Sequence, residues 1–142
     1  MSADDAASRL FVYGTLMMPA VLHAVCGRPL ASGAATLADF ARYRLRGRVY
    51  PAIIGERGAS TAGLVCEGLD DALWQRLDAW ESPLYQRQAV TIHDAMGHGR
   101  HAHTYVLAAA HHAEIERSAW SPEEFAQLHL PAYLARWTGA TP

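Results

Sequence analysis

At 142 residues, 51% hydrophobic and 18% charged, the chain suits one packed globular domain and excludes a disordered polypeptide. Its formal charge of −2 gives no reason to expect nucleic acid or an anionic membrane as partner, and no apolar run approaches the roughly 20 residues of a membrane span. Cys26 and Cys66 are too few for a disulfide framework or a zinc site, so reduced, partly buried thiols are expected.

Residues 1 to 8, with Asp4 and Asp5 and no apolar h-region, read as a disordered lead-in and not as a signal peptide. A soluble, cytoplasmic protein is the expectation, with residues 9–142 as its single domain. Arg9 to Tyr13 reads as a first strand that stops at Gly14. Pro19 to Val25 suits a short helix, with proline in its first turn and Gly27 at its end.

From Ala35 to about Val49 apolar and polar residues alternate, which predicts one or two strands of an antiparallel sheet. Tyr50 to Gly55 is a proline-interrupted apolar strand expected at an edge or a bulge, and Ala62 to Glu67 is another strand. Asp70 or Asp71 caps a helix running to about Glu81 and closed by Ser82-Pro83. Tyr85 to His93 and Ala102 to Leu107 read as strands around a glycine-rich turn. Ser121-Pro122-Glu123-Glu124 opens a last helix with a capping box, and Pro131 breaks or restarts it before Trp137. Many strands and few helices point to an α+β fold with a curved or barrel-like sheet.

Chemistry concentrates at two places. Leu69, Leu73 and Leu77 are spaced by four, Trp80 lies three beyond Leu77, and Glu81 continues the row. A glutamate on that face points toward the core, where burial raises its pKa and makes it a base near neutrality. The competing reading ends the helix there and turns Glu81 into solvent. After Gly14, the amides of Thr15, Leu16 and Met17 precede Pro19 and are free to hold a carboxylate or an oxyanion, although a plain strand-to-helix turn has the same pattern.

Three other patterns carry two readings each. Tyr85 and Arg87 share one face of a strand and either flank a carboxylate pocket or leave Arg87 to pair with a surface acid. Arg42, Arg44, Arg46 and Arg48 alternate, and the negative net charge favours a watered sheet face over a phosphate stripe. His98, His101 and His103, with His111 and His112, suggest a metal, but the glycine-rich surroundings of His98 favour a solvated hairpin loop.

Val12-Tyr13-Gly14-Thr15-Leu16, then Tyr50-Pro51-Ala52, then Leu77-Asp78-x-x-Glu81-x-x-x-Tyr85-x-Arg87 resembles the gamma-glutamylcyclotransferase-like family, most nearly its small gamma-glutamylamine cyclotransferase-like branch. The similarity runs from about Leu10 to Leu107, and the tail after about Ala108 adds nothing to it. This resemblance implies a compact mixed fold with helices around a small barrel-like sheet and a cavity. It implies Glu81 as the acid/base, Gly14, Thr15 and Leu16 as donors to a gamma-glutamyl group, and Tyr13, Tyr85, Arg87 and Tyr105 around the substrate. The activity implied is release of 5-oxoproline from a small gamma-glutamyl substrate, without metal or other cofactor. A non-catalytic module binding a small carboxylate on the same fold is the alternative.

Overall fold

A computed structural model describes residues 6–136. Most of the expected lead-in, and Trp137, lie outside the described residues. The part of the lead-in that is described, Ala6–Ser8, is a 3-10 turn and is tied down: Trp74 Nε1 donates to Ala7 O at 2.6 Å and Leu69 N to Ser8 O at 3.1 Å.

Five strands close on themselves. They are β1 (Arg9–Val12), β2 (Ser32–Leu45), β3 (Pro51–Glu67), β4 (Tyr85–Asp94) and β5 (Gly99–Leu107), joined in the cyclic order β3-β1-β5-β4-β2 and back to β3. A two-residue strand, β6 (Ile115–Glu116), extends the sheet at the end of β2. All pairings are antiparallel except β1 with β5. Closure removes the exposed strand edges that an open sheet of this length would carry.

Every residue of β1 is buried, because its two faces serve two cores. Phe11 and Tyr13 pack with Ala35, Leu37, Ile53, Val65, Ile92 and Ala102, one or two from each strand, and fill the barrel. Leu10 and Val12 look outward and pack under two helices, α1 (Pro19–Cys26) and α2 (Asp71–Glu81). Pro19 stands in the first turn of α1 and Gly27, at φ 78°, ends it in the left-handed conformation that glycine takes without a side-chain clash. Asp70 caps α2 by accepting the Leu73 N–H at 2.9 Å.

The two strands expected at Tyr50–Gly55 and Ala62–Glu67 are halves of one 17-residue strand. Pro51 occupies its first position, where a missing N–H costs no ladder bond. The bulge lies across from it, at Asp39 of β2, whose φ of 65° an aspartate tolerates and whose carboxylate accepts the Gly58 N–H at 2.9 Å.

The tail is integral to the core. A 3-10 turn at Ala109–Glu114 leads through β6 to α3 (Pro122–Leu128) and α4 (Leu130–Ala135), and Trp120, Phe125 and Tyr133 are buried in the outer core. Pro131 restarts the helix, as α4. Ser121 caps α3 by accepting the Glu124 N–H, but Glu124 does not reach back: its carboxylate takes Arg44 at 2.7 Å, so the capping box is half made.

The arginine stripe is a watered face only in part. Arg42 donates to Tyr13 O at 2.7 Å, Arg44 also to Ala119 O, Arg46 to Ala113 O, and Arg48 to Glu114 and Tyr50. Three of the four therefore fasten the tail to the barrel. The β4–β5 turn holds His98, with Asp94 accepting the N–H groups of Met96 and His98. Among the described residues no three His, Cys, Asp or Glu side chains converge as a metal-ligand set, and no helix is long and apolar enough to cross a membrane. Cys26 and Cys66 are free and buried, with burial pushing the Cys66 thiol up to about 12.

Candidate active site

A cavity of about 310 Å³ opens where β1 ends and α2 ends. Its lining brings together Tyr13, Gly14, Thr15, Leu16, Glu81, Tyr85 and Tyr105. Arg87 does not line it, which corrects the expectation that it flanks the substrate alongside Tyr85.

Glu81 reaches the cavity because α2 keeps its apolar row to the last turn. Leu73 and Leu77 are buried, and Glu81, four past Leu77, follows them inward. Glu81 is half-buried and lines the cavity. Burial, and secondarily the negative charge of Asp78 one turn earlier, push its carboxyl up to about 8. Among the described residues the Glu81 carboxyl has no hydrogen-bond or ion-pair partner. A group in that state takes up and returns a proton near neutral pH.

The strand end supplies the complementary element. After β1 the chain makes a 3-10 turn, Thr15–Met17, closed by Met17 N to Gly14 O at 3.0 Å and Met18 N to Thr15 O at 3.0 Å. The Thr15 and Leu16 amides lie upstream of those bonds and make none within the protein among the described residues. Gly14 leaves room for Pro51, itself a wall of the cavity: a Cβ there would crowd Cδ and Cγ of Pro51 at 3.1 Å.

Tyrosines fix the walls. Tyr85 donates to Pro51 O at 2.5 Å, and Tyr13 donates to Tyr105 O at 2.6 Å. Tyr105 donates to Asp78 Oδ1 at 2.7 Å. All three phenols are held well above their ordinary pKa, chiefly by burial, so they are neutral hydrogen-bonding groups and not bases.

Several lining residues lie outside the site that the sequence predicts. Arg48 and Tyr50 lie between β2 and β3, with Arg48 donating to the Tyr50 hydroxyl at 2.7 Å. His111, Tyr133 and Arg136 come from the tail. Tyr133 lies within 3.4 Å of the Thr15 hydroxyl and meets Tyr50 edge-on, at 6.4 Å between rings. The Tyr50-Pro51 pair was visible as part of the resemblance. Nothing in the spacing of the tail signalled its three contributions.

Comparison with known proteins gives the family and the fold. The profile of the family described as gamma-glutamyl cyclotransferase, AIG2-like, matches residues 10–122. AIG2-like protein D of Arabidopsis thaliana is 34% identical over 136 residues, 94% of this chain and 89% of its own length. An Arabidopsis thaliana protein solved in solution superposes with a TM-score of 0.73 at 28% identity, covering 94% of this chain and 91% of its own. A solved gamma-glutamyl cyclotransferase superposes with a TM-score of 0.67 over 92% of this chain and 85% of its own, a likeness of fold at 16% identity. The chain belongs to the gamma-glutamyl cyclotransferase, AIG2-like family.

Proposed function

We propose that the protein is a gamma-glutamyl cyclotransferase-type enzyme, converting a gamma-glutamyl amide into 5-oxoproline and a free amine or amino acid. The observation that carries this reading is the unpartnered Glu81 carboxyl, raised to about 8, in one cavity with the open Thr15 and Leu16 amides.

A gamma-glutamyl group carries its α-ammonium on the same short chain as its γ-carbonyl. A cavity that holds this chain folded supplies the orientation an intermolecular attack would lack. Glu81, ionised, takes one proton from the ammonium. The amine nitrogen attacks the γ-carbonyl, closing a five-membered ring and placing charge on the carbonyl oxygen. The Thr15 and Leu16 amides hold that oxyanion or the α-carboxylate. The oxyanion collapses, the bond to the leaving nitrogen breaks, and Glu81 returns the proton to that nitrogen. The regenerated Glu81 carboxylate then takes the second proton from the ring nitrogen and passes it to the departing amine, which leaves as an ammonium, so protons balance without a further reactant. Tyr13, Tyr85 and Tyr105 keep the walls in place. Arg87 has no direct part.

Glu81→Gln keeps the shape of the side chain and removes the base. Release of 5-oxoproline from a panel of gamma-glutamyl amino acids and amines is expected to fall roughly 10²–10⁴-fold, with the fold intact by circular dichroism. A folded variant of undiminished rate overturns the role of Glu81. Substrates that raise the melting temperature yet give no product with the unaltered protein leave only the carboxylate-binding module.

A further inference from the structure

Asp78 stands three residues before Glu81, on the same side of α2, and its carboxylate is the meeting point of a small network. Arg87 Nε lies 3.2 Å from Asp78 Oδ1, and the Tyr105 hydroxyl donates to the same oxygen at 2.7 Å. The guanidinium is itself held: it lies over the Trp74 ring at 4.4 Å and its NH1 meets His103 Nδ1 at 3.4 Å. Trp74 in turn is anchored through Nε1 to Ala7 O. Three elements, α2, β4 and β5, thus converge on one carboxylate, while Tyr105 and Glu81 both face the cavity.

We propose that Asp78, clamped by Arg87 and Tyr105, is a positioning residue for Glu81: it aims the Tyr105 hydroxyl away from the reacting carboxyl and keeps a fixed negative charge one helical turn from it. The proposal rests on the reading of Glu81 as the acid/base but concerns a different pair of residues. Because the Tyr105 proton is committed to Asp78, Tyr105 does not donate to Glu81, whose carboxyl stays unpartnered for a substrate ammonium. The nearby charge makes Glu81 a stronger base than burial alone would. Arg87 limits that effect, since a guanidinium beside the aspartate cancels part of its field. The other titratable groups that line the cavity with Glu81 are Tyr13, Tyr50, Tyr85, Tyr133, Arg48, His111 and Arg136.

The test reads Glu81 directly. Its protonated carboxyl stretch is identified by infrared difference between the unaltered protein and Glu81→Gln, and followed against pH in Asp78→Asn and Arg87→Gln. Asparagine preserves the acceptor for Tyr105 and removes the charge, so the Glu81 midpoint should move to lower pH. Arg87→Gln leaves the aspartate unbalanced and should move the midpoint up. An unmoved midpoint in Asp78→Asn overturns the proposal. So does an unmoved or lowered midpoint in Arg87→Gln, because a purely structural network would alter stability without opposite displacements. The pH profile of 5-oxoproline release, taken on the same proteins, separates this from the proposed activity. Midpoints that move as stated with no product from any gamma-glutamyl compound sink the activity alone, and turnover with an unmoved midpoint sinks the positioning role alone.

Discussion

The Tyr13 hydroxyl donates to the carbonyl oxygen of Tyr105 at 2.6 Å, across 92 residues of sequence and inside the protein. It joins β1 to β5, the one parallel pair in the barrel, whose ladder registers a single partnership, Leu10 with His103. The bond therefore fastens the seam that the backbone holds least, and it does so at the wall of the cavity.

Tyr13→Phe tests this. The variant loses one buried hydrogen bond and leaves the Tyr105 carbonyl without that donor, at a cost of about 1–3 kcal/mol. Urea denaturation should show a lower midpoint with an unchanged slope, because the surface exposed on unfolding is the same. An unchanged midpoint would mean that packing and the remaining β1–β5 bonds, Thr104 Oγ1 to Phe11 O and Arg9 to His101 O, hold the seam without it.

Glu81 makes stability depend on pH in a defined direction. Its carboxyl ionises near 8 in the folded chain against an ordinary 4.5. Between those values the unfolded chain gives up the proton and the folded chain keeps it, so the folded state binds more protons and its stability falls as pH rises. Linkage caps the loss at roughly 5 kcal/mol, and water entering the open cavity brings the expectation to about 1–3 kcal/mol. Glu81→Gln should melt together with the unaltered protein near pH 4 and above it at pH 8, the gap opening across that interval. Parallel melting curves from pH 4 to pH 8 would show that the carboxyl is hydrated and ordinary.

Much of this site was legible because a helix repeats its faces regularly. Leu69, Leu73 and Leu77 announce the buried row, and Glu81 inherits its direction. Arg87 shows where the analogous argument for strands stops. A period of two assigns Tyr85 and Arg87 to one side of β4, but two residues are about 7 Å along a strand. That distance carries Arg87 past the cavity, to Asp78 and the Trp74 ring, while Tyr85 reaches Pro51. The polar, glycine-bearing Glu56 to Thr61 stretch separates two strands expected from sequence, yet it continues one strand whose pairing with β2 is set by the bulge at Asp39. Tyr133 entered the cavity wall through tertiary packing, which no local spacing encodes.

The alternating arginines, equivalent in sequence, should differ sharply in worth. Arg42 is half-buried, donates to the carbonyls of Tyr13 and Ala62, and lies over the Trp120 ring at 5.5 Å. Truncation to alanine strips charge-assisted bonds from those carbonyls and should cost about 1.5–3 kcal/mol. Arg44 pairs with Glu124 near the surface, with side chains 39% and 43% exposed, and its ion pair is worth about 0–1 kcal/mol. Chemical denaturation of Arg42→Ala and Arg44→Ala side by side checks the ordering. Equal losses would return Arg42 to the watered face.

Two glycines should fail in different ways when given a methyl group. At Gly63 a Cβ would stand 2.2 Å from the Val12 carbonyl oxygen and 2.9 Å from the Phe11 ring. Neither can yield, because the first is backbone in the β1–β3 ladder and the second fills the barrel. Gly63→Ala must part the strands, and a loss of at least about 3 kcal/mol is expected, visible as a collapse in soluble yield. At Gly14 the obstacle is Pro51, at 3.1 Å, and a displacement of a few tenths of an ångström relieves it. That displacement carries the Pro51 carbonyl, on which the Tyr85 hydroxyl rests, and so shifts the cavity wall. Gly14→Ala should therefore fold and melt within about 1–2 kcal/mol of the unaltered protein, while 5-oxoproline release falls by roughly tenfold or more, since small misplacements at a reacting centre are costly. Full activity in a folded Gly14→Ala protein would show that the strand end does not shape the site.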